Sequence, residues 1–256
     1  MRSSNPALSE NVLDRLRHTG FEDSTVMTVT GTAVKTLIAI TLLLLTAGMT
    51  WITFQQAGGI GGGGLQAIQP YWVGGLIVGL IAAVATMFKP NWAPWTTPVY
   101  ALAEGCLLGG ISAIIQAQIP QVPIVFQACL LTVGTLVTML FLYQTGIIKV
   151  TQGLRMGIVA ATGAVGLVYV ASILLSFFGI QIPFIHSAGP IGIGFSVVVV
   201  GIAAFNLLLD FDMIDRMSAQ RAPKQMEWYA AFALLMTLVW LYIEILRLLR
   251  KLNERD

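Results

Sequence analysis

Glu104, in ALAEGCLLGGI, and Asp210, in AAFNLLLDFDMI, are ionisable residues set inside long apolar runs. A charged side chain in hydrocarbon is costly, and such residues face a partner, a water-filled cavity or an ion path. Carboxylates are also hard oxygen ligands of the kind that calcium takes. Removal from water favours the protonated carboxyl, and a second carboxyl nearby favours it further. One such residue can serve as cation ligand and as pH sensor, because proton uptake removes the ligand. Asn206 stands one turn before Asp210 on the same helix face. Gln144 closes another apolar run. With Glu104 and Asp210 they supply the oxygens of a candidate polar cluster at one depth.

Asp212 is two residues from Asp210 and about 200° around a helix, so the two point to different faces. Asp212 and Asp215 share a face. They read either as part of the ion path, Asp212 above all, or as a solvated helix end beside Arg216. The competing reading for Asp210 is a structural carboxylate paired with a basic neighbour such as Arg155. For Glu104 it is a hydrogen-bonded structural residue. Glu244 and Arg247, three apart in LYIEILRLLR, read as an internal ion pair on one helix face. Glu244 is expected about 16 Å beyond the depth of Asp210, too far for contact. Glu227 reads as a helix-start residue favoured by the macrodipole, and His186 as a solvated loop residue.

The elements that must position these groups are membrane helices. Of 256 residues, 56% are hydrophobic and only 10% charged, against about a quarter charged in soluble domains. Mean hydropathy is +0.81. Seven apolar segments approach the roughly 20 residues a helix needs to cross a bilayer: about 34–55, 71–88, 97–117, 122–144, 154–178, 189–209 and 227–247. The fold class is therefore all-α, a polytopic bundle of seven transmembrane helices. Residues 1–32 are expected as a cytoplasmic N-terminal segment, 33–250 as the seven-helix domain and 251–256 as a short basic tail. Residues 1–31 hold no apolar run long enough for a signal peptide, so the chain is expected to keep its N-terminus.

Basic residues set the direction. Arg2, Arg15, Arg17, Lys35, Lys89, Lys149, Arg155, Arg216, Arg221 and Lys224 fall on one side, and the loops on the other side have none. An N-terminus in the cytoplasm follows. Arg247, Arg250, Lys251 and Arg255 oppose it: either this tail lies outside or the last segment re-enters without crossing.

The remaining features read as structure. GGIGGGG at 58–64 lacks the Gly-Lys-Ser/Thr ending of a phosphate loop and reads as a flexible external linker. Trp51, Trp72, Trp92, Trp95 and Trp228 lie near span ends, as interfacial anchors do. Gly105, Gly109 and Gly110 suggest close helix packing. Cys106 and Cys129 sit in apolar segments and read as small hydrophobes, without zinc-like spacing. The net charge of +2 gives no case for nucleic acid. No cofactor is implied. The spans offer neither paired metal-binding histidines nor a nucleophile with its base, so an enzyme is not expected. Transport by alternating access is weakened by the lack of a clear internal repeat.

Four stretches carry a resemblance across nearly the whole chain: Pro98 to Gly105, Tyr143 to Gly146, Leu209 to Asp215 and Leu241 to Leu249, with Asn5-Pro6-Ala7-Leu8 at the start. They resemble the bacterial branch of the Bax inhibitor-1 (transmembrane BAX inhibitor motif) family. The resemblance implies a central helix surrounded by the others and a pH-sensitive calcium leak across the bacterial inner membrane. It also implies an aspartate pair between the sixth and seventh spans. Asp210 fits the first position, within Asp-x-x-x-Ile. The second falls near Thr237, which is not acidic, so the chain departs from the pair; Glu104 and Glu244 are candidate replacements. The second span also lacks an acidic residue that some members carry. The expected partners are the bilayer and calcium or another cation. The alternative function is a membrane-embedded regulator that binds another membrane protein, such as a quality-control protease.

Overall fold

Seven long helices account for almost the whole described chain: α1 (Val29–Gln56), α2 (Gly64–Phe88), α3 (Ala93–Gln118), α4 (Ile124–Gln144), α5 (Gln152–Phe177), α6 (Pro190–Ala219) and α7 (Met226–Asn253). The computed structural model describes residues 26–178, 187 and 189–254. Arg2, Arg15, Arg17, the Asn5-Pro6-Ala7-Leu8 opening, His186 and Arg255 lie outside these residues. All seven helices are long and apolar enough to span a bilayer, so the chain is an integral membrane protein with seven spans. Helices are the economical solution, because hydrocarbon offers no partner to an open backbone group. Side-chain hydroxyls obey the same rule. In α1, Thr32, Thr36, Thr41, Thr50 and Thr53 each donate to the carbonyl four residues back.

The helices run past the apolar segments at both ends. α6 continues ten residues beyond 209 and carries Asp210, Asp212 and Asp215 in helical backbone. Hydropathy falls at the first charge, whereas the helix ends only at Ala219. α7 is continuous over 28 residues, about 42 Å, which suits a crossing helix and not a re-entrant one. Residues 251–253, expected in a tail, are its last turn, and Lys251 is fully buried.

α7 is the central helix. It packs against α1, α3, α4 and α6, while α2 leans on α1 and α3, and α5 on α6. One core joins Leu207, Phe211 and Ile214 of α6 to Leu234, Leu241 and Ile245 of α7. A second joins Ala39 and Leu43 of α1 and Ala101 of α3 to Phe232 and Leu235 of α7. Close approach of α1 and α3 depends on small residues, as the sequence suggested. A Cβ added to Gly105 would lie 2.0 Å from Thr46 Oγ1 and 2.2 Å from the Leu43 carbonyl. Trp51 and Trp72 pack around Phe54 and Ile68, while Trp92 and Trp95 are exposed as interfacial anchors would be.

The glycine-rich segment is a built turn and not a slack linker. Gly58 and Gly59 N–H groups donate to Gln55 and Phe54, and Gly64 closes the turn on Gly59. Gly58, Gly59 and Gly63 have positive φ, which a side chain would oppose.

Candidate functional site

Asp210 lies on α6, nine residues before its end at Ala219, about 13 Å along the axis. It faces α7. The Thr237 hydroxyl of α7 is the polar side chain beside its carboxylate, and that hydroxyl donates to the Ala233 carbonyl at 3.3 Å. The carboxylate's Oδ2 is buried and has no hydrogen-bond partner among the described residues. No ion pair among the described residues involves Asp210. A buried carboxylate oxygen without a donor or a cation is costly and open to a proton or a cation. Thr237 therefore stands opposite Asp210, and it is not acidic.

The proposed replacements are elsewhere. Glu104 on α3 lies over α2: a Cβ on Gly79 would sit 3.1 Å from its Oε2. It is eleven residues from the start of α3, about 16 Å. The depth is comparable to that of Asp210, but α3 and α6 each pack on α7, and the two carboxylates point to different neighbours. The expected Glu104–Asp210 cluster is thus split by the central helix. Glu244 is seven residues beyond Thr237 on α7, about 10 Å. Its carboxylate accepts from Tyr169 of α5 at 2.8 Å and pairs with Arg247 at 3.1 Å. Arg247 also donates to Tyr169 and stacks over its ring at 5.0 Å. The internal Glu244–Arg247 pair read from their spacing is present, with Tyr169 as an unforeseen third member.

The other polar residues also separate. Asn206 donates to Thr162 of α5 and to the Ile202 carbonyl, both at 2.8 Å. It is bound to α5 and does not complete a cluster with Asp210. Arg155 is not the counter-charge of Asp210; it pairs with Asp212, which Arg216 also engages at 2.9 Å. Two arginines on one carboxylate make Asp212 a tie between α5 and α6. Asp215 accepts from Tyr143 at 2.7 Å. Asp212, Asp215, Tyr143, Gln144 and Lys149 line a cavity of about 480 Å³ where α4 and α6 end. Gln144 therefore belongs to this vestibule. Among the described residues, no three His, Cys, Asp or Glu side chains converge as a metal cage.

Sequence reasoning missed two buried charges. Glu227, 1% exposed, is more than a helix-start residue. It pairs with Lys35 and accepts from the Thr28 N–H and hydroxyl at 3.0 and 3.1 Å, tying α1 to α7. Gly31 gives it room, since a Cβ there would meet Glu227 Oε1 at 2.2 Å. The available signal was a lysine and a glutamate in the opening turns of two helices that start on one side. Lys251 donates to the Gly192 carbonyl at 3.0 Å and to Ser196 at 2.9 Å, both on α6. With Arg247 paired to Glu244 and Arg250 to Glu254 at 3.3 Å, three of the four basic residues that oppose an N-inside orientation are engaged inside the chain.

These residues sit in a bundle of seven spans around a central seventh helix. A model of the Bax inhibitor 1 like family matches residues 5–254. The chain belongs to that family. Neither curated proteins nor solved structures give a significant match.

Proposed function

We propose that this chain is a pH-sensitive cation leak channel of a bacterial inner membrane, with calcium as the favoured ion and the N-terminus in the cytoplasm. The buried, unpartnered Oδ2 of Asp210 carries this reading. It lies at membrane depth, and nothing in the described structure neutralises it. A hard cation passing the site finds a carboxylate oxygen to replace part of its hydration. A proton competes for the same oxygen. Cation occupancy then falls as pH falls, which is the sign expected for a single carboxylate ligand.

The vestibule of Asp212, Asp215 and Gln144 supports an access role. Its wall residue Asp212 is two residues, about 3 Å along the axis, from Asp210 and on another face of α6. Asp212 has two arginines and serves to hold the wall; Asp215 and Gln144 present oxygens to water. Glu104 is a second intramembrane carboxylate without an ion-pair partner among the described residues, separate from the Asp210 gate.

The test is calcium flux through purified protein in liposomes between about pH 6 and pH 8, the range in which a desolvated carboxylate can titrate. Asp210→Asn should change the flux and flatten its pH dependence. A variant with unaltered flux and pH profile refutes the gate. Such a result, with function in cells lost only on removal of loops or tails, favours the regulator of another membrane protein.

A further inference from the structure

A crevice of about 440 Å³ runs between α1 and α4, on the far side of α7 from Asp210. α1 and α4 each pack on the central helices, not on one another, so the crevice is open toward the bilayer. We propose that it seats one acyl chain of a membrane lipid from the leaflet at the α1–α2 end of the bundle.

Its dimensions match that occupant. Along α1 the wall runs from Ile40 to Trp51, and along α4 from Val125 to Leu136. Each stretch spans eleven residues, about 16 Å. Half of a hydrocarbon core of about 30 Å is 15 Å, so the crevice is one leaflet deep. It starts near helix ends, since Val125 is the second residue of α4 and Trp51 lies five residues from the end of α1. A chain entering at headgroup level ends at the membrane midplane.

The chemistry agrees. No charged residue lines the crevice. Its hydroxyl pair, buried Ser112 and half-buried Tyr242, is already joined at 2.7 Å and asks for no ligand donor. An uncharged, apolar occupant is therefore favoured over a headgroup or an ion. A methylene chain about 4–5 Å across, the contact spacing of packed carbon, fills roughly 250 Å³. The floor of the crevice is the central helix, through Leu238 and Tyr242. A seated chain would therefore touch the helix that carries Thr237.

The experiment is photolysis of the whole protein in phospholipid vesicles containing a lipid with a diazirine in mid-acyl chain, followed by mass-spectrometric mapping of adducts. Adducts are expected on Leu238, Val239 and Tyr242 of α7, which line the crevice. Gly48→Phe should lower them at least about tenfold, the loss of two methylenes' worth of burial or more. Gly48 lines the crevice, and an added Cβ meets nothing within 4 Å, so the backbone accepts the change. Gly134→Phe is the control, on an equally open face of α4 outside the crevice. Cys129→Trp blocks the opposite wall and serves if Gly48→Phe fails to give monodisperse protein. Absence of α7 adducts in the wild type overturns the proposal, as does a yield indifferent to both blocking variants. Efficient Cys129–Cys129 dimer formation that protects α7 from adducts also overturns it, in favour of a second copy.

Discussion

Thr237→Asp tests the central geometry most directly, because it places a second carboxylate opposite Asp210. Thr237 is the polar side chain beside Asp210, and two neighbouring carboxyl groups interact strongly at about 4 Å. Two unit charges at that separation repel by about 4 kcal/mol at an effective dielectric of 20. By the relation for soluble domains of this size, a loss of that size lowers the melting temperature on the order of 10 °C. The loss should be present at alkaline pH, where both groups are charged, and should vanish at acid pH, where the pair holds a proton. Calcium should restore part of the stability at alkaline pH and should stabilise the variant more than the wild type. Thermal melts of purified protein in detergent across pH, with and without calcium, measure all three effects. Equal melting curves for variant and wild type at every pH would mean that Thr237 and Asp210 do not face one another in the protein. The account of the gate would then fail with them.

Three further outcomes follow from the packing. Gly105→Ala forces the α1–α3 contact apart, since its Cβ would overlap Thr46 and Leu43; a cost of about 1–3 kcal/mol is expected in denaturant titrations, and Gly134→Ala should cost far less. Lys35→Ala leaves Glu227 buried without its cation and should cost about 3–5 kcal/mol, whereas Lys35→Ala combined with Glu227→Gln should recover much of it. Arg247→Ala exposes the same principle at the other end of α7 through Glu244: stability should fall by about 3 kcal/mol, while calcium flux should keep the pH dependence set by Asp210.

Much of the fold was legible because bilayer physics is simple. A run of about 20 apolar residues in hydrocarbon has few options besides a helix, so seven runs imply seven spans. Gly105 and Gly109 could be read as contact points because only a missing side chain lets helix backbones approach so closely. Helix ends were harder. Asp210, Asp212 and Asp215 lower the hydropathy of α6 without ending it, since each finds its partner, or fails to, on another helix. The glycine-rich turn was misread for a related reason: composition reports freedom of φ, while hydrogen bonds to Gln55 and Phe54 decide whether that freedom is used.

The amino-acid sequence by itself determined that this chain lives in a membrane, that it crosses seven times, and that Asp210 and Glu104 would be its expensive groups. These follow from local transfer energies and spacing, which need no knowledge of neighbours. Only the tertiary structure decided who faces whom. It set Thr237 before Asp210, gave Arg155 to Asp212 and Thr162 to Asn206, sent Glu104 toward Gly79, and closed Glu244 and Lys251 into the end of α7. Such pairings depend on the rotation and neighbour order of packed helices. Those are fixed by side-chain shape along the whole of α7, which no short stretch of sequence contains.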